Sequence, residues 1–184
     1  WHHYRDYDVI VGDELVAVVR AGALDADAQP DFEMAEKIVD AAATSLANLL
    51  AGEASAGNVL LDPLTGLYGP AYFHDQLKRE VRRAAAYAVQ LALMVLHLRP
   101  TAGSSAPVAA SALREFARVI TSNTRHTDIA ARIGPHQVAV LMPHTSTRDA
   151  LAVASRLHDE LARSGVTDGT YRVHIGISGW NIHG

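Results

Sequence analysis

Two groups of residues in this chain have types and spacings that could do chemistry. Arg125 and Asp128 stand in Arg-x-x-Asp spacing, nine residues ahead of Gly134-Pro135-His136-Gln137. An arginine offers a planar fork of donors that suits phosphate oxygens and lies flat on bases, and an aspartate accepts from N–H groups. The two side chains could instead pair with each other at a strand start, which contributes little at a surface. Arg156 supplies a further guanidinium downstream. The second group is His97 and Arg99, at the end of an apolar run, together with His136. Two imidazoles brought together could suit a transition metal. The plainer reading is a pair of polar residues without a role. Arg99 could meet a phosphate or simply end a strand in solvent.

These residues are positioned by alternating elements. "GPAYFHDQLKREVRRAAAYA" reads as a helix with Pro70 in its first turn. "VQLALMVLHL" is a nearly continuous apolar run, as in a strand buried on both faces. "APVAASALREFARVITSN" reads as a helix, and "DIAARIG" and "QVAVLMP" as two strands around the 134–137 turn. A helix over "TRDALAVASRLHDELARSG" and a strand over "TYRVHIGISGW" follow. The order predicts an α/β sheet with an internal antiparallel hairpin, flanked by helices. Upstream, Tyr7 to Gly22 carries two β-branched runs around Gly12-Asp13, a hairpin that needs a larger sheet to be stable. From Asp31 the pattern turns helical. Phe32, Ala35, Val39, Ala42, Leu46 and Leu49 recur at 3-4 spacing, a narrow seam that predicts a parallel homodimer through 32–49. The same helix could pack on its own domain instead.

Composition narrows the classes. The chain has 184 residues, 49% hydrophobic and 20% charged, with a net charge of −4. That balance, without a Lys/Arg block, argues against a nucleic-acid or anionic-membrane surface. The absence of cysteine excludes disulfides, thiolate zinc sites and cysteine nucleophiles, and fits a reducing, cytoplasmic setting. No apolar run reaches spanning length. The abrupt start at Trp1 suggests a piece of a longer protein.

The stretch "DPLTGLYGPAYF", Asp62 to Phe73, resembles the opening motif of GGDEF domains, the diguanylate cyclase fold. The family pattern is Asp-x-Leu-Thr-Gly-Leu-x-Asn-Arg-x-x-Phe. Asp62, Leu64, Thr65, Gly66, Leu67 and Phe73 match, while Gly69 and Pro70 replace Asn and Arg. The resemblance runs from Leu61 to Trp180, about two thirds of the chain. It implies a nucleotidyl-cyclase-like sheet. It also implies that the 134–137 turn approaches GTP phosphates and helps hold magnesium. Gly134-Pro135-His136-Gln137-Val138 stands where the family has Gly-Gly-Asp/Glu-Glu-Phe. His97 and Arg99 stand at the positions of a second carboxylate pair, and "PTAGSSAPVAAS" lacks the family's guanine-binding residues. The usual Ser-x-Gly of the last strand is Gly176-Ile177-Ser178. Magnesium favours hard oxygen ligands. The expectation is therefore a degenerate GGDEF domain that is not an enzyme and carries no metal or cofactor. By the same resemblance, Arg125, Asp128 and Arg156 correspond to the family's inhibitory site for cyclic di-GMP.

The chain is expected to divide into 1–54, a GAF-like sensory edge with a signalling helix, and 55–184, the GGDEF-like domain. The expected role is a regulatory or receptor module with cyclic di-GMP as ligand and an unidentified protein partner. The alternative is an interaction module that binds no nucleotide, with residual cyclase activity a third reading.

Overall fold

The computed structural model describes residues 3–11, 14–23, 60–101 and 107–180, the first two as strand backbone. The expected helix at 32–49, its dimer seam and the boundary at 54 lie outside those residues. Strands β1 (His3–Val11) and β2 (Glu14–Ala23) form the expected antiparallel hairpin. They are followed by α1 (Pro70–Tyr87), β3 (Leu91–Pro100), α2 (Ala110–Asn123), β4 (Ile129–Gly134), β5 (Gln137–Pro143), α3 (Thr147–Arg163) and β6 (Tyr171–Trp180). The sheet order is β1-β2-β6-β3-β5-β4, so β2 joins the hairpin to the main sheet through β6.

Every pair of named neighbouring strands is antiparallel. The alternating order of helices and strands is still respected. Each helix returns the chain so that the next strand keeps its predecessor's direction, but one slot further along. Thus β5 sits between β3 and β4, and β3 sits between β5 and β6. Two crossover units interdigitate, and β3 becomes the central strand.

β3 is buried on both faces over most of its length because helices cover both. Ala92, Met94, Leu96 and Leu98 face a core filled by Leu113, Phe116 and Ile120 of α2 and Ala154, Leu157 and Leu161 of α3. The alternate residues Leu91, Leu93 and Val95 pack under Phe73, Leu77 and Ala84 of α1. That second apolar patch contains no β3 residue beyond Val95, so the next residues on its face are His97 and Arg99.

Local chemistry sets the element ends. Pro70 fills the first turn of α1, where its missing N–H is no loss. The α1 terminus closes on Ala88 at φ 52°, whose N–H donates to the Ala84 carbonyl. α3 starts at Ser146, whose hydroxyl oxygen accepts from the Asp149 N–H at 3.0 Å. Among the described residues no helix is long and apolar enough to cross a membrane.

Candidate functional site

The Arg-x-x-Asp segment lies in the connection from α2 to β4. Asp128 folds back on Arg125: its Oδ2 accepts from the Arg125 N–H at 2.7 Å, and its own N–H donates to the Arg125 carbonyl at 3.0 Å. This closed turn uses the backbone of Arg125, not its side chain. Among the described residues no ion pair joins the two side chains, and Arg125 is exposed. The other carboxylate oxygen, Asp128 Oδ1, is buried with no hydrogen-bond partner. Burial pushes the Asp128 carboxyl above its ordinary value, against the pull of the Arg125 N–H and charge.

A cleft of about 460 Å³ opens here, lined by Arg125, His126 and Asp128 together with Leu61 and with Gly66, Leu67 and Tyr68 of the opening motif. Its size falls within the usual range for small-molecule sites, roughly 300–1,000 Å³. Tyr68 stacks on Tyr72 with ring centroids 4.3 Å apart. The opening motif reaches the cleft through backbone bonds to β4, from Tyr68 N–H to the Ala130 carbonyl and from Arg132 N–H to the Tyr68 carbonyl. Tyr68, Thr124 and His126 were missed by sequence reasoning. Tyr68 occupies a variable position of the motif, and Thr124 and His126 merely flank the recognised pair. Arg156 reaches from α3 to the end of α2, donating to the Asn123 carbonyl at 2.8 Å. A cation there complements the helix C-terminus. It steadies the segment that leads into Arg125 and is not among the residues lining the cleft.

The 134–137 turn is a separate locality. Gly134 and Gln137 are paired across it, leaving Pro135 and His136 at the tip. Arg132 ties the tip down: its guanidinium donates to the Pro135 carbonyl at 2.8 Å and to Asp62 Oδ2 at 3.0 Å. Asp62 Oδ1 accepts from the N–H and hydroxyl of Thr65, at 2.8 and 2.6 Å. Burial alone would raise the Asp62 carboxyl, but the Thr65 bonds and the Arg132 charge together hold it below its ordinary value. A proline at the tip is compatible with this latch because its carbonyl, not its missing N–H, is what the turn uses.

The structure brings His97 beside Gln137 on one side and His174 on the other, as cross-strand partners. His136 joins them, since its carbonyl accepts from the Leu98 N–H at 3.0 Å. The His97 imidazole is pushed down to about 4, by burial first and then by Arg99, His174 and His136. His174 and Arg172 gave no signal in the sequence because their closeness to His97 and Arg99 depends on the β3–β6 register. Among the described residues, no group of three or more His, Asp or Glu is disposed to hold a metal ion. The magnesium that the family resemblance implies does not fit this end of the sheet. It asks for hard oxygens in octahedral array, and the groups here are imidazoles, guanidinium groups and one amide.

Comparison with known proteins places this geometry. Residues 59–184 match the family described as "Diguanylate cyclase, GGDEF domain". The response regulator PleD of Caulobacter vibrioides is 31% identical over 112 residues, covering 58% of this chain and 24% of PleD. Diguanylate cyclase A of Treponema denticola is 36% identical over 74 residues, covering 38% of this chain and 20% of that protein. The chain thus spans about a quarter or less of these relatives. Among solved structures, the GGDEF domain of DgcB from Caulobacter crescentus, in complex with cyclic di-GMP, superposes with a TM-score of 0.58 at 22% identity. That match covers 68% of this chain and 80% of that one. The GGDEF domain of FimX from Pseudomonas aeruginosa matches with the same TM-score at 21% identity, covering 67% and 81%.

These findings correct one expectation. The inference that the chain is not an enzyme came from the joint change of His97, Arg99 and the 134–137 turn, together with the guanine-binding residues missing from "PTAGSSAPVAAS". The family matched is a diguanylate cyclase family, and one relative is named for that activity. The enzyme reading is the one the comparisons favour. Changed residues at these positions describe the positions and do not establish inactivity of the protein.

Proposed function

The chain belongs to the GGDEF family of diguanylate cyclases, a domain of cyclic di-GMP signalling, and from that premise we propose that its Arg125–Asp128 cleft binds cyclic di-GMP. The observation that carries this reading is the buried, unpartnered Asp128 Oδ1 beside an exposed arginine in a cleft of ligand size. An orphaned buried acceptor is costly to the free protein, and guanine offers N–H donors that would satisfy it. Arg125, with no side-chain ion pair among the described residues, is available to fork onto phosphate or lie on a base. Arg156 assists by fixing the end of α2. The DgcB structure, with cyclic di-GMP bound, supports the choice of ligand at the level of shared fold.

Titrating cyclic di-GMP and cyclic di-AMP into the protein tests this. Saturable binding of the guanine compound and at least tenfold weaker binding of the adenine compound are expected, because adenine presents a different donor edge. Equal affinities would remove Asp128 from the recognition.

Two further parts of the reading rest on sequence and family. Diguanylate cyclase activity is favoured by the family matched and by the name of one relative, and product formation from GTP, read by chromatography, tests it. Any such activity must work with His97, Arg99 and Gln137 at the end of the sheet. Homodimerisation through 32–49 is supported by the 3-4 apolar spacing of that segment.

A further inference from the structure

We propose that the β1–β2 hairpin is a releasable clamp on the outer edge of β6, and that its docking is passed through α3 to the Arg125–Asp128 cleft. The last step rests on the cyclic di-GMP reading of that cleft; the clamp itself does not.

The hairpin lies outside the family-matched residues 59–184, yet it is hydrogen-bonded into their sheet. Val18, Val19 and Arg20 of β2 pair with Gly179, Ser178 and Ile177 of β6. The part of the chain ahead of the matched domain therefore meets that domain's last strand directly. The ladders differ in length. β1 and β2 pair from His3–Ala23 to Val11–Glu14, and β3 and β6 from Leu91–Trp180 to Pro100–Tyr171. β2 runs on to Ala23 beside β1, but its pairing with β6 stops at Arg20. A ladder this short holds few backbone hydrogen bonds, each of small net value, so it is the joint that parts first. A two-stranded hairpin is marginal in water by itself, so docking orders the hairpin and undocking frees it. That gives an element with two states, which transmission between sites requires.

The joint falls where β6 approaches α3 most closely. Gly179 pairs with Val18 on one side and with Ala92 of β3 on the other. A Cβ at Gly179 would overlap Thr147 Oγ1, so the bare backbone of β6 lies against the first turn of α3. Trp180, the next residue, packs on the apolar patch beneath α1. A displacement of β6 at 177–179 therefore bears on Thr147 directly. α3 is seated in the core by Ala150, Ala154, Leu157 and Leu161, and a closely packed helix transmits displacement rather than absorbing it. The same helix carries Arg156, whose guanidinium donates to the Asn123 carbonyl at 2.8 Å, at the end of α2 and just ahead of Arg125. The docked hairpin holds this line of contacts in place, and its release loosens them.

The chain has no cysteine, so Val19→Cys combined with Ser178→Cys gives a single lock in the intact chain. Opposed residues of an antiparallel pair have Cα atoms about 4.5–5.5 Å apart, inside the range of about 4.4–6.8 Å that a disulfide spans. Amide exchange, read by NMR, is compared between the oxidised and reduced forms. Oxidation should slow exchange at Ile177 and Gly179. It should also slow Ala150, whose N–H donates to the Ser146 carbonyl, and Asp128, whose N–H donates to the Arg125 carbonyl. Each change should reach at least about fivefold, the low end of ordinary coupling between sites. Val19→Pro, which removes an N–H from β2, should speed the same amides and leave Val140 in the core unchanged. Cyclic di-GMP should bind the oxidised form at least about fivefold more tightly than the reduced form. Failure of the disulfide to form under mild oxidation, or equal exchange at Ile177 and Gly179 in the two forms, would overturn the clamp. A response confined to β6, with Ala150 and Asp128 unmoved, would overturn its transmission through α3. If Val19→Pro loses protection at Val140 as well, the chain has unfolded and the oxidised–reduced comparison decides alone. Equal cyclic di-GMP affinity in the two forms would overturn the link to the cleft. No binding in either form would remove the cleft reading, and the exchange comparison would still decide the clamp.

Discussion

Asp128→Asn should make the free protein more stable and the ligand complex weaker. In the wild type, Oδ2 of Asp128 is used by the Arg125 N–H at 2.7 Å, while Oδ1 is buried without a partner. The asparagine carbonyl can keep the first bond, and the substitution removes the buried charge behind the second. The amide NH2 that replaces Oδ1 is still without a partner, so only the charge is relieved; an unsatisfied buried group costs about 1–3 kcal/mol, more when it is charged. Asp128 as a residue is only half-buried, so the lower end, about 1 kcal/mol, is the appropriate figure. In a domain of this size that amounts to roughly 4 °C in melting temperature. The pH dependence follows from the raised Asp128 carboxyl. A folded-state value above the ordinary 3.8 means that the folded form binds the proton more tightly than the unfolded one. Wild-type stability therefore falls as pH rises from 3.8 through the raised value, and the penalty is complete above it. The advantage of Asp128→Asn should grow across that window and level off towards neutral pH. Cyclic di-GMP affinity should drop at least about tenfold, from loss of a charge-assisted acceptor worth roughly 1.5–3 kcal/mol. Thermal melts across pH, paired with ligand titrations, read both effects. A variant that melts below wild type at neutral pH, or binds the ligand equally well, would refute the reasoning.

Other substitutions probe the surrounding structure. Arg132→Ala removes a largely buried guanidinium from both Asp62 and the Pro135 carbonyl, and should lower stability by about 2 kcal/mol in urea unfolding. Because the Asp62 carboxyl is held below 3.8, its contribution is present above that value and is lost as pH falls through the lowered folded value. Asp62→Asn should therefore flatten the acid limb of the stability profile. Phe116→Ala empties a fully buried position beneath the sheet and should cost about 3–5 kcal/mol in the same assay. Leu46→Glu should convert a dimer to a monomer in light scattering after size exclusion, and a dimer unchanged by it would remove the 32–49 seam.

What the sequence made legible follows the range of the interactions involved. Periodicity and turn chemistry are local, so Pro70, the apolar period of 147–165 and the β4–β5 turn placed their elements to within a few residues. The antiparallel pairing of all named neighbours was not legible. Strand order depends on which slot each crossover fills, and β3 carries the same apolar pattern whether its neighbours run with it or against it. At the site, Arg125 and Asp128 were recognisable by spacing, but their contact through backbone and the orphaned Oδ1 are matters of three-dimensional geometry. His174 and Arg172 lie some 75 residues after His97 and Arg99, and only the β3–β6 register makes them neighbours. The turn residues were legible as changes of donor type. They were over-read as loss of enzymatic function.

The measurement that bears most directly on the central claim is isothermal titration of cyclic di-GMP into the wild-type chain and into Arg125→Ala. The account predicts saturable binding by the wild type and at least a tenfold loss in the variant, about 1.4 kcal/mol for one charge-assisted contact. A flat wild-type titration at high micromolar ligand, or equal affinity for the two proteins, would contradict it.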